Sequence, residues 1–524
     1  MTDNREDIFK RIQTGKWDLI VIGGGITGAG IMREAVRCGL KTLLVEQRDF
    51  GWGTSSRSGQ LVHGGLRYLK EGNVKLTYRS VKERQRLLAE LPGLVKPFGL
   101  MMTIYKEDWV QKLIVQSGLL VYDIMSRNMM RHKYSPEEVA RRTPDIQTRD
   151  LAGGFLFNES ITDDARLVYR VLQQAIDEGG TALNYGRVSG LLKEKGRVAG
   201  VKLEDRIGKK KLTIAARQVI NATGVWVDGL RNKVKKINRK HIRPLKGSHL
   251  VFSADRLPIR SSIVMTHPVS RRPGFAIPWE GRVLVGNTDM DYAGDLNVEA
   301  AISAKEVDYL LENIHFHFPT LHIGREDIIA TFSGVRPVVD SGKADPSAES
   351  RDHVVWEEDG LLTVTGGKLT TFRLIALDAL KAVRSSLGSL PDLGKEQQFF
   401  TPLKRWKAAV KIDRKKRERL QGRYGNRAIE VVAGAENGEL EEISGTCTLW
   451  AELRWAAKNE MVAHLEDLML RRTRIALLLK QGGRDFLPRI RNICQQELGW
   501  NDETWQQEEE AYLKAWQHFY SVPA

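Results

Sequence analysis

His63 and Arg67 stand four residues apart in HGGLRY, a spacing that would place both on one face of a helical turn. A neutral imidazole beside a fixed cation suits proton abstraction, because the cation lowers the imidazole pKa and keeps the ring unprotonated. The same residue types also allow a histidine that merely packs or caps. Upstream, Gly23, Gly25 and Gly28 belong to GGGITGAG, and Glu46 closes KTLLVE about twenty residues later. These are the groups needed to hold a pyrophosphate and a ribose. Gly23 permits the tight turn, Gly25 lets the backbone approach phosphate without a Cβ, and Gly28 lets a helix pack closely on a strand. A carboxylate at Glu46 can accept both ribose hydroxyls. Far downstream, Lys368 follows Gly366 and Gly367 in GLLTVTGGKLTT, where a glycine turn at a helix N-terminus can bring N–H groups and a cation against an electron-rich ring.

The elements that must position these residues are legible in the pattern. WDLIVI (17–22) reads as a short buried strand, Ile31 to Gly39 continues as a helix, and KTLLVE (41–46) reads as a second strand ending in the acid. The unit is strand, glycine turn, helix, strand, acid. NAD would fit that fingerprint, but two later segments favour FAD. QVINATG (218–224) reads as a strand entering a small-residue turn at Asn221, Ala222, Thr223 and Gly224. The segment 360–371 reads as a further strand with its Gly-Gly turn. One mononucleotide site needs neither, whereas an extended cofactor crossing the sheet uses both. Val74 to Leu91 reads as a helix, and Asp163–Asp164 before Arg166 as a helix N-terminus with acids in its first turn rather than a metal site.

With 524 residues the chain is too long for one core, and two or three domains are expected. Cys38, Cys447 and Cys494 are scattered and include no CxxC pair, which supports neither a zinc centre nor a disulfide framework and fits a reducing cytosol. No metal is expected. The first sixteen residues carry no apolar stretch, and no window reaches the roughly 18 apolar residues of a membrane span. The net charge of +16 is compatible with nucleic acid, anionic lipid or a phosphorylated substrate, as well as with a plain solvated surface. No nucleic-acid module is visible, so nucleic acid is not expected as a partner.

The run GGGITGAG followed by TSSRSGQLVHGGLRYL resembles the FAD-dependent glycerol-3-phosphate dehydrogenases, the membrane-associated, quinone-linked kind. Further segments match in the expected order: TDDARLV (162–168), NATGVW (221–226), LKGSHLV (245–251), IPWEGRVLVGNTD (277–289), FSGVRPVV (332–339), TGGKLTTFR (365–373) and the tail EMVAHLEDLMLRRTR (460–474). The resemblance spans nearly the whole chain from Trp17. A polar extension before Trp17 and the segment 388–445, strongly basic between Lys404 and Arg427, depart from it.

The resemblance implies an α/β fold: a discontinuous Rossmann-type FAD-binding domain of the glutathione-reductase and D-amino-acid-oxidase class, an antiparallel-sheet substrate domain, and a C-terminal helical domain. It implies oxidation of sn-glycerol 3-phosphate to dihydroxyacetone phosphate, hydride passing from C2 to flavin N5 and electrons then to a quinone. An oxidase of the same fold, using oxygen, is the first alternative, and a flavin-bearing nucleic-acid-binding protein is a remoter one. It further implies cofactor contacts at Thr54, Ser55, Ser56, Ala222, Thr223, Gly224, Gly366, Gly367, Lys368, Leu369 and Thr370. A base must take the C2 hydroxyl proton, for which His63 is the first choice and His249 the rival. Arg67 and Arg336 suit the substrate phosphate, since guanidinium forks match its oxygens, with Tyr68 as a further donor. Lys368 can stabilise charge on the reduced flavin. Arg336, just before Pro337, also reads as a structural arginine at a strand end, and Lys246 and Asp289 read as structural.

The expected domain division is a loose tail over 1–16, an FAD domain over 17–100, 150–235 and 340–387, a substrate domain over 101–149 and 236–339, and a helical domain over 388–524. In the last, Leu465, Leu468, Met469 and Ile475 keep helical spacing and read as core. WVQKLIVQSGLLVYDIM (109–125) reads as an amphipathic helix that either rests at a membrane surface, packs on the substrate domain or makes a dimer contact. The expected setting is the cytoplasm, peripheral on the inner face of the cytoplasmic membrane, with a homodimer as one assembly.

Overall fold

The computed structural model describes residues 5–65, 74–106, 132–236, 241–343, 349, 352–388, 390–391, 397–407 and 411–523. Arg67, Tyr68 and the stretch 109–125 lie outside the described residues.

The apolar run Trp17–Ile22 forms a strand with its centre fully buried, as a parallel strand covered on both faces must be. It pairs in parallel with Thr42–Val45 on one edge and Lys211–Asn221 on the other. In register, Ile22 lies opposite Val45 and opposite Asn221, and Asn221 lies opposite Thr363 of the strand Leu361–Gly366. Gly23, Glu46 and Ala222 therefore leave the sheet together at its carboxyl edge, where open α/β sheets take their ligands. This sheet has eight strands among the described residues, the hairpin of Gly186–Glu194 and Arg197–Asp205 extending its side. The helix Ile26–Arg37 packs on it through Ala29, Ile31, Met32 and Ala35, and the helices Asp164–Asp177 and Phe372–Ala382 share that core.

The expected loose tail is instead a packed helix over Arg5–Thr14. Ile8, Phe9 and Ile12 recur on one side and bury against Trp17, Ile20 and Leu203 of the sheet, while Arg5 pairs with Asp205 at 2.6 Å. That spacing is hidden in a stretch that is polar on average, because one narrow apolar face suffices to dock a short helix.

The second sheet has nine strands among the described residues and is antiparallel except where Ser262–Thr266 runs parallel to Lys96–Tyr105. Leu151–Ile161, expected in the first domain, pairs with Lys96–Tyr105 in this second sheet instead. Its alternation resembles that of any half-buried strand, so only the long-range pairing assigns it. The long strand Ile242–Ser253, near one end of the sheet, pairs with Ile328–Val339, setting His249 opposite Phe332 and Leu245 opposite Arg336.

Beyond residue 388 the described chain is mainly helical. Leu465, Leu468, Met469 and Ile475 are buried together with Trp505 and Trp516, and the same cluster includes Val251, Trp279, Leu284 and Phe332 of the second sheet. The C-terminal helices thus share one core with the back of that sheet.

Candidate active site

The carboxyl edge of the first sheet opens into a cleft of about 1140 Å³, larger than the roughly 300–1,000 Å³ of ordinary small-molecule sites. Its walls include Gly23, Gly25, Glu46, Thr54, Ser55, Ala222, Thr223, Gly224, Gly366, Gly367, Lys368, Leu369 and Thr370, together with His63 and Arg336. Segments far apart in sequence thus meet along one groove.

Each wall is fixed locally. Gly23 has φ +113°, and a Cβ on Gly28 would lie 1.9 Å from the Gly23 carbonyl oxygen. Gly28 therefore acts by letting the helix approach the strand, and it does not itself face the cleft. Glu46 accepts from the Gly24 N–H at 2.7 Å and from the Arg48 N–H at 2.9 Å. Burial pushes its carboxyl pKa up, and these two N–H groups oppose the shift. The Ser55 Oγ accepts from the Ile26 N–H at 3.0 Å, at the first turn of the helix behind the glycines. Thr54 donates to the Val335 carbonyl at 2.5 Å, tying the wall to the second sheet. Ser56 is buried away from the cleft, a departure from its expected cofactor contact: its 3₁₀ turn points the side chain inward.

On the opposite wall, Asn221 Oδ1 accepts from the Thr223 hydroxyl at 2.7 Å, and Thr365 donates to the Gly224 carbonyl at 3.3 Å, locking two turns together. Gly224, Gly366 and Gly367 have φ values of +61°, +78° and +77°, where a side chain would be strained. A Cβ on Gly224 would meet nothing within 4 Å, which marks open space for a ligand. The buried Trp226 Nε1 lines this space without an acceptor among the described residues. A buried donor without a partner is costly unless a ligand supplies one. Together the glycine turns, the helix N-terminus, the Glu46 carboxylate and the Trp226 donor fit an extended dinucleotide such as FAD.

The chemical groups lie around the same cleft. His63 is half-buried, and its loop is fixed on both sides. Thr370 donates to the His63 carbonyl at 3.2 Å, and the Gly64 N–H donates to Glu159 at 3.0 Å, itself paired with Arg84 at 3.1 Å. Arg336 pairs with Asp289 at 2.9 Å, and both line the cleft. Its side chain lies across Gly247, where a Cβ would come within 2.3 Å of the guanidinium. Lys246 pairs with Glu306 at 2.7 Å, a structural role as expected. His249 is 1% exposed and stacks on Phe332 at 4.7 Å, one layer behind the lining residues Gly59 and Phe275. Neither ring nitrogen has a partner among the described residues. Burial, reinforced by Arg336, pushes its pKa down to about 3.

Several lining groups escape sequence reasoning. Tyr292 to Asn297 lie over the cleft, and the Arg48 guanidinium donates to the Asn297 carbonyl at 2.6 Å. The run YAGDLN signals a turn, but nothing local says which surface it covers. Trp52 and Arg57 also line the cleft, and neither spacing nor residue type singles them out.

The FAD dependent oxidoreductase profile matches residues 18–373, and the profile of the C-terminal domain of alpha-glycerophosphate oxidase matches 391–505. An aerobic glycerol-3-phosphate dehydrogenase of Staphylococcus haemolyticus is 33% identical over 497 residues, 90% of this chain and 89% of its own. That of Bacillus subtilis is 35% identical over 483 residues, 87% of each chain. The crystal structure of a glycerol-3-phosphate dehydrogenase from Bacillus halodurans complexed with FAD superimposes with a TM-score of 0.76 at 27% identity, covering 98% of this chain and 97% of that one. An L-alpha-glycerophosphate oxidase from Mycoplasma pneumoniae, 17% identical with a TM-score of 0.60 over 75% of this chain and all of its own, shares the fold.

Proposed function

The chain belongs to the FAD-dependent oxidoreductase family, and on that premise we propose that it oxidises sn-glycerol 3-phosphate to dihydroxyacetone phosphate. One observation carries the reading: the cleft lined by Glu46 and the glycine turns is also lined by His63, Lys368 and Arg336. A base and two cations thus share one cavity with the dinucleotide site, which is what a phosphorylated secondary alcohol requires. Bound FAD supplies the two-electron acceptor.

In this reading His63 takes the C2 hydroxyl proton at its imidazole, because it reaches the cleft on a loop anchored at both sides. His249 is the weaker candidate, since a ring with pKa near 3 holds protons poorly and sits behind the wall. Arg336, steered by Asp289, binds the phosphate, and Lys368 holds substrate oxygens or balances charge at the ring. Leu61, Leu100, Val264 and Phe275 line the same cleft. Excluding water there strengthens the attraction between cation and phosphate. Arg67 and Tyr68 join the phosphate pocket in this proposal on sequence grounds.

The electron acceptor is proposed to be a quinone at the inner face of the cytoplasmic membrane. The charge of +16 supports attraction to anionic lipid. No helix among the described residues is long and apolar enough to cross a membrane, which agrees with contact at the surface. Sedimentation of the holoenzyme reads the homodimer included in the same proposal.

The decisive experiment is anaerobic. Addition of glycerol 3-phosphate to the flavin-loaded protein is expected to bleach the visible flavin band, and an unchanged spectrum removes the substrate assignment. Reoxidation by a short-chain quinone, faster than by oxygen, supports the quinone. Peroxide formed as fast without quinone assigns the chain to the oxidases instead.

A further inference from the structure

The stretch 49–58 forms much of one wall of the cofactor cleft, through Trp52, Gly53, Thr54, Ser55, Arg57 and Ser58. It contains one short turn, Thr54–Ser56, and no strand. Its polar groups therefore need partners from elsewhere. Those partners come repeatedly from the end of the chain. Arg472 grips both oxygens of Asp49, at 2.6 and 2.8 Å, and Arg471 Nε donates to the same carboxylate at 2.6 Å. Arg474 Nη1 donates to the Ser56 carbonyl at 2.8 Å, and its Nη2 lies 3.5 Å from Asp164. The other Asp164 oxygen accepts from the Ser58 N–H at 2.8 Å. The Tyr520 hydroxyl accepts from Arg57 at 3.1 Å and donates to Glu299 at 3.0 Å, while Arg57 also pairs with Glu299 and donates to the Trp52 carbonyl.

We propose that the C-terminal helical domain is a clamp on the flavin site, with Arg471, Arg472, Arg474 and Tyr520 as positioning residues that set cofactor affinity through the stretch 49–58. The inference rests on the FAD reading of the cleft. The three arginines are at most 1% exposed, and charged groups so deep are poor cement. Well-packed apolar side chains hold two bodies together as well or better. What apolar side chains cannot do is fix the direction of a carboxylate and a carbonyl on a loop, which a planar guanidinium fork can. Arg474 even adopts φ +65°, a backbone conformation uncommon for a non-glycine residue, at the residue that reaches Ser56. Burial pushes the Asp49 carboxyl up, but Arg472 and Arg471 more than reverse this and hold it below the ordinary carboxylate range. Asp49 therefore stays ionised throughout the physiological range. Because Ser55, next to Ser56, supplies the oxygen that accepts from Ile26 at the glycine-turn helix, a shift at Ser56 would be passed to the turn that would hold the pyrophosphate.

The test uses the full chain stripped of flavin and titrated with FAD, with Arg474→Met, Arg474→Lys and Tyr520→Phe beside the wild type. Arg474→Met is expected to weaken FAD binding about ten-fold or more, the scale of one charge-assisted hydrogen bond, and Arg474→Lys to recover part of it. Tyr520→Phe removes a single hydroxyl and is expected to weaken FAD binding several-fold, with melting lowered more in the presence of FAD than in its absence. If Arg474→Met does not fold, Tyr520→Phe decides alone. Unchanged FAD affinity in the folded variants, with melting lowered equally in the presence and absence of FAD, overturns the clamp. A wild-type protein that takes up no FAD strikes at the cofactor reading instead.

Discussion

Replacing His249 with leucine tests the claim that this ring is buried, neutral and without a compensating partner. Its pKa is pushed down from 6.5 to about 3, first by burial and then by Arg336. The unfolded chain therefore takes up a proton near pH 6.5 that the folded chain refuses until near pH 3. Stability contributed at this site is complete above pH 6.5 and declines as pH falls toward 3, with a slope approaching ~1.4 kcal/mol per pH unit. At pH 5 the difference amounts to about 2 kcal/mol, and at pH 7 to a few tenths. His249→Leu removes that proton. The variant has its own baseline, because leucine fills the space beside Gly286 and Phe332 differently, but its stability change between pH 7 and pH 5 is expected to be about 2 kcal/mol smaller than that of the wild type. Urea unfolding of the FAD-saturated proteins at both pH values measures this from the midpoints at constant slope. Parallel pH dependence in the two proteins refutes the reasoning, since it means the ring is solvated or paired.

Three further outcomes are expected. His63→Gln should lower kcat by roughly 10²–10⁴-fold with FAD content unchanged; a kcat within a few-fold of wild type, read by stopped-flow flavin reduction, moves the base elsewhere. Arg336→Ala should raise the KM for glycerol 3-phosphate by about ten-fold or more, the cost of a charge-assisted contact, while flavin stoichiometry holds; unaltered KM means the phosphate binds at another place. Gly28→Ala places a methyl 1.9 Å from the Gly23 carbonyl oxygen, so helix and strand must separate. Loss of about 1–3 kcal/mol of stability and of tight FAD binding is expected, and a variant that melts and binds FAD like the wild type contradicts that packing.

The nucleotide-binding unit was readable along the chain because it is local. Strand, turn, helix and strand follow within Trp17 to Glu46, and each glycine answers a steric demand made by its near neighbours. The turns at Ala222–Gly224 and Gly366–Leu369 were readable for the same reason, and register alone then brought them to one edge of the sheet. The helix Arg5–Thr14 is not legible in the same way although its apolar spacing is local, because average polarity conceals a narrow face.

Tertiary structure decided what depends on contact between distant segments. In the sequence His63 is the first choice of base and His249 its rival; in the fold His63 is on the cleft wall, while His249 is sealed behind Phe275 and stacked on Phe332. Arg474 reaches Ser56 across most of the chain, and Asp49 gathers Arg471 and Arg472 just as remotely. Periodicity and glycine placement record the constraints a residue meets within its own turn or strand. Burial, pKa and the partner of a charge are set by whatever the fold brings alongside, and no spacing along the backbone encodes that.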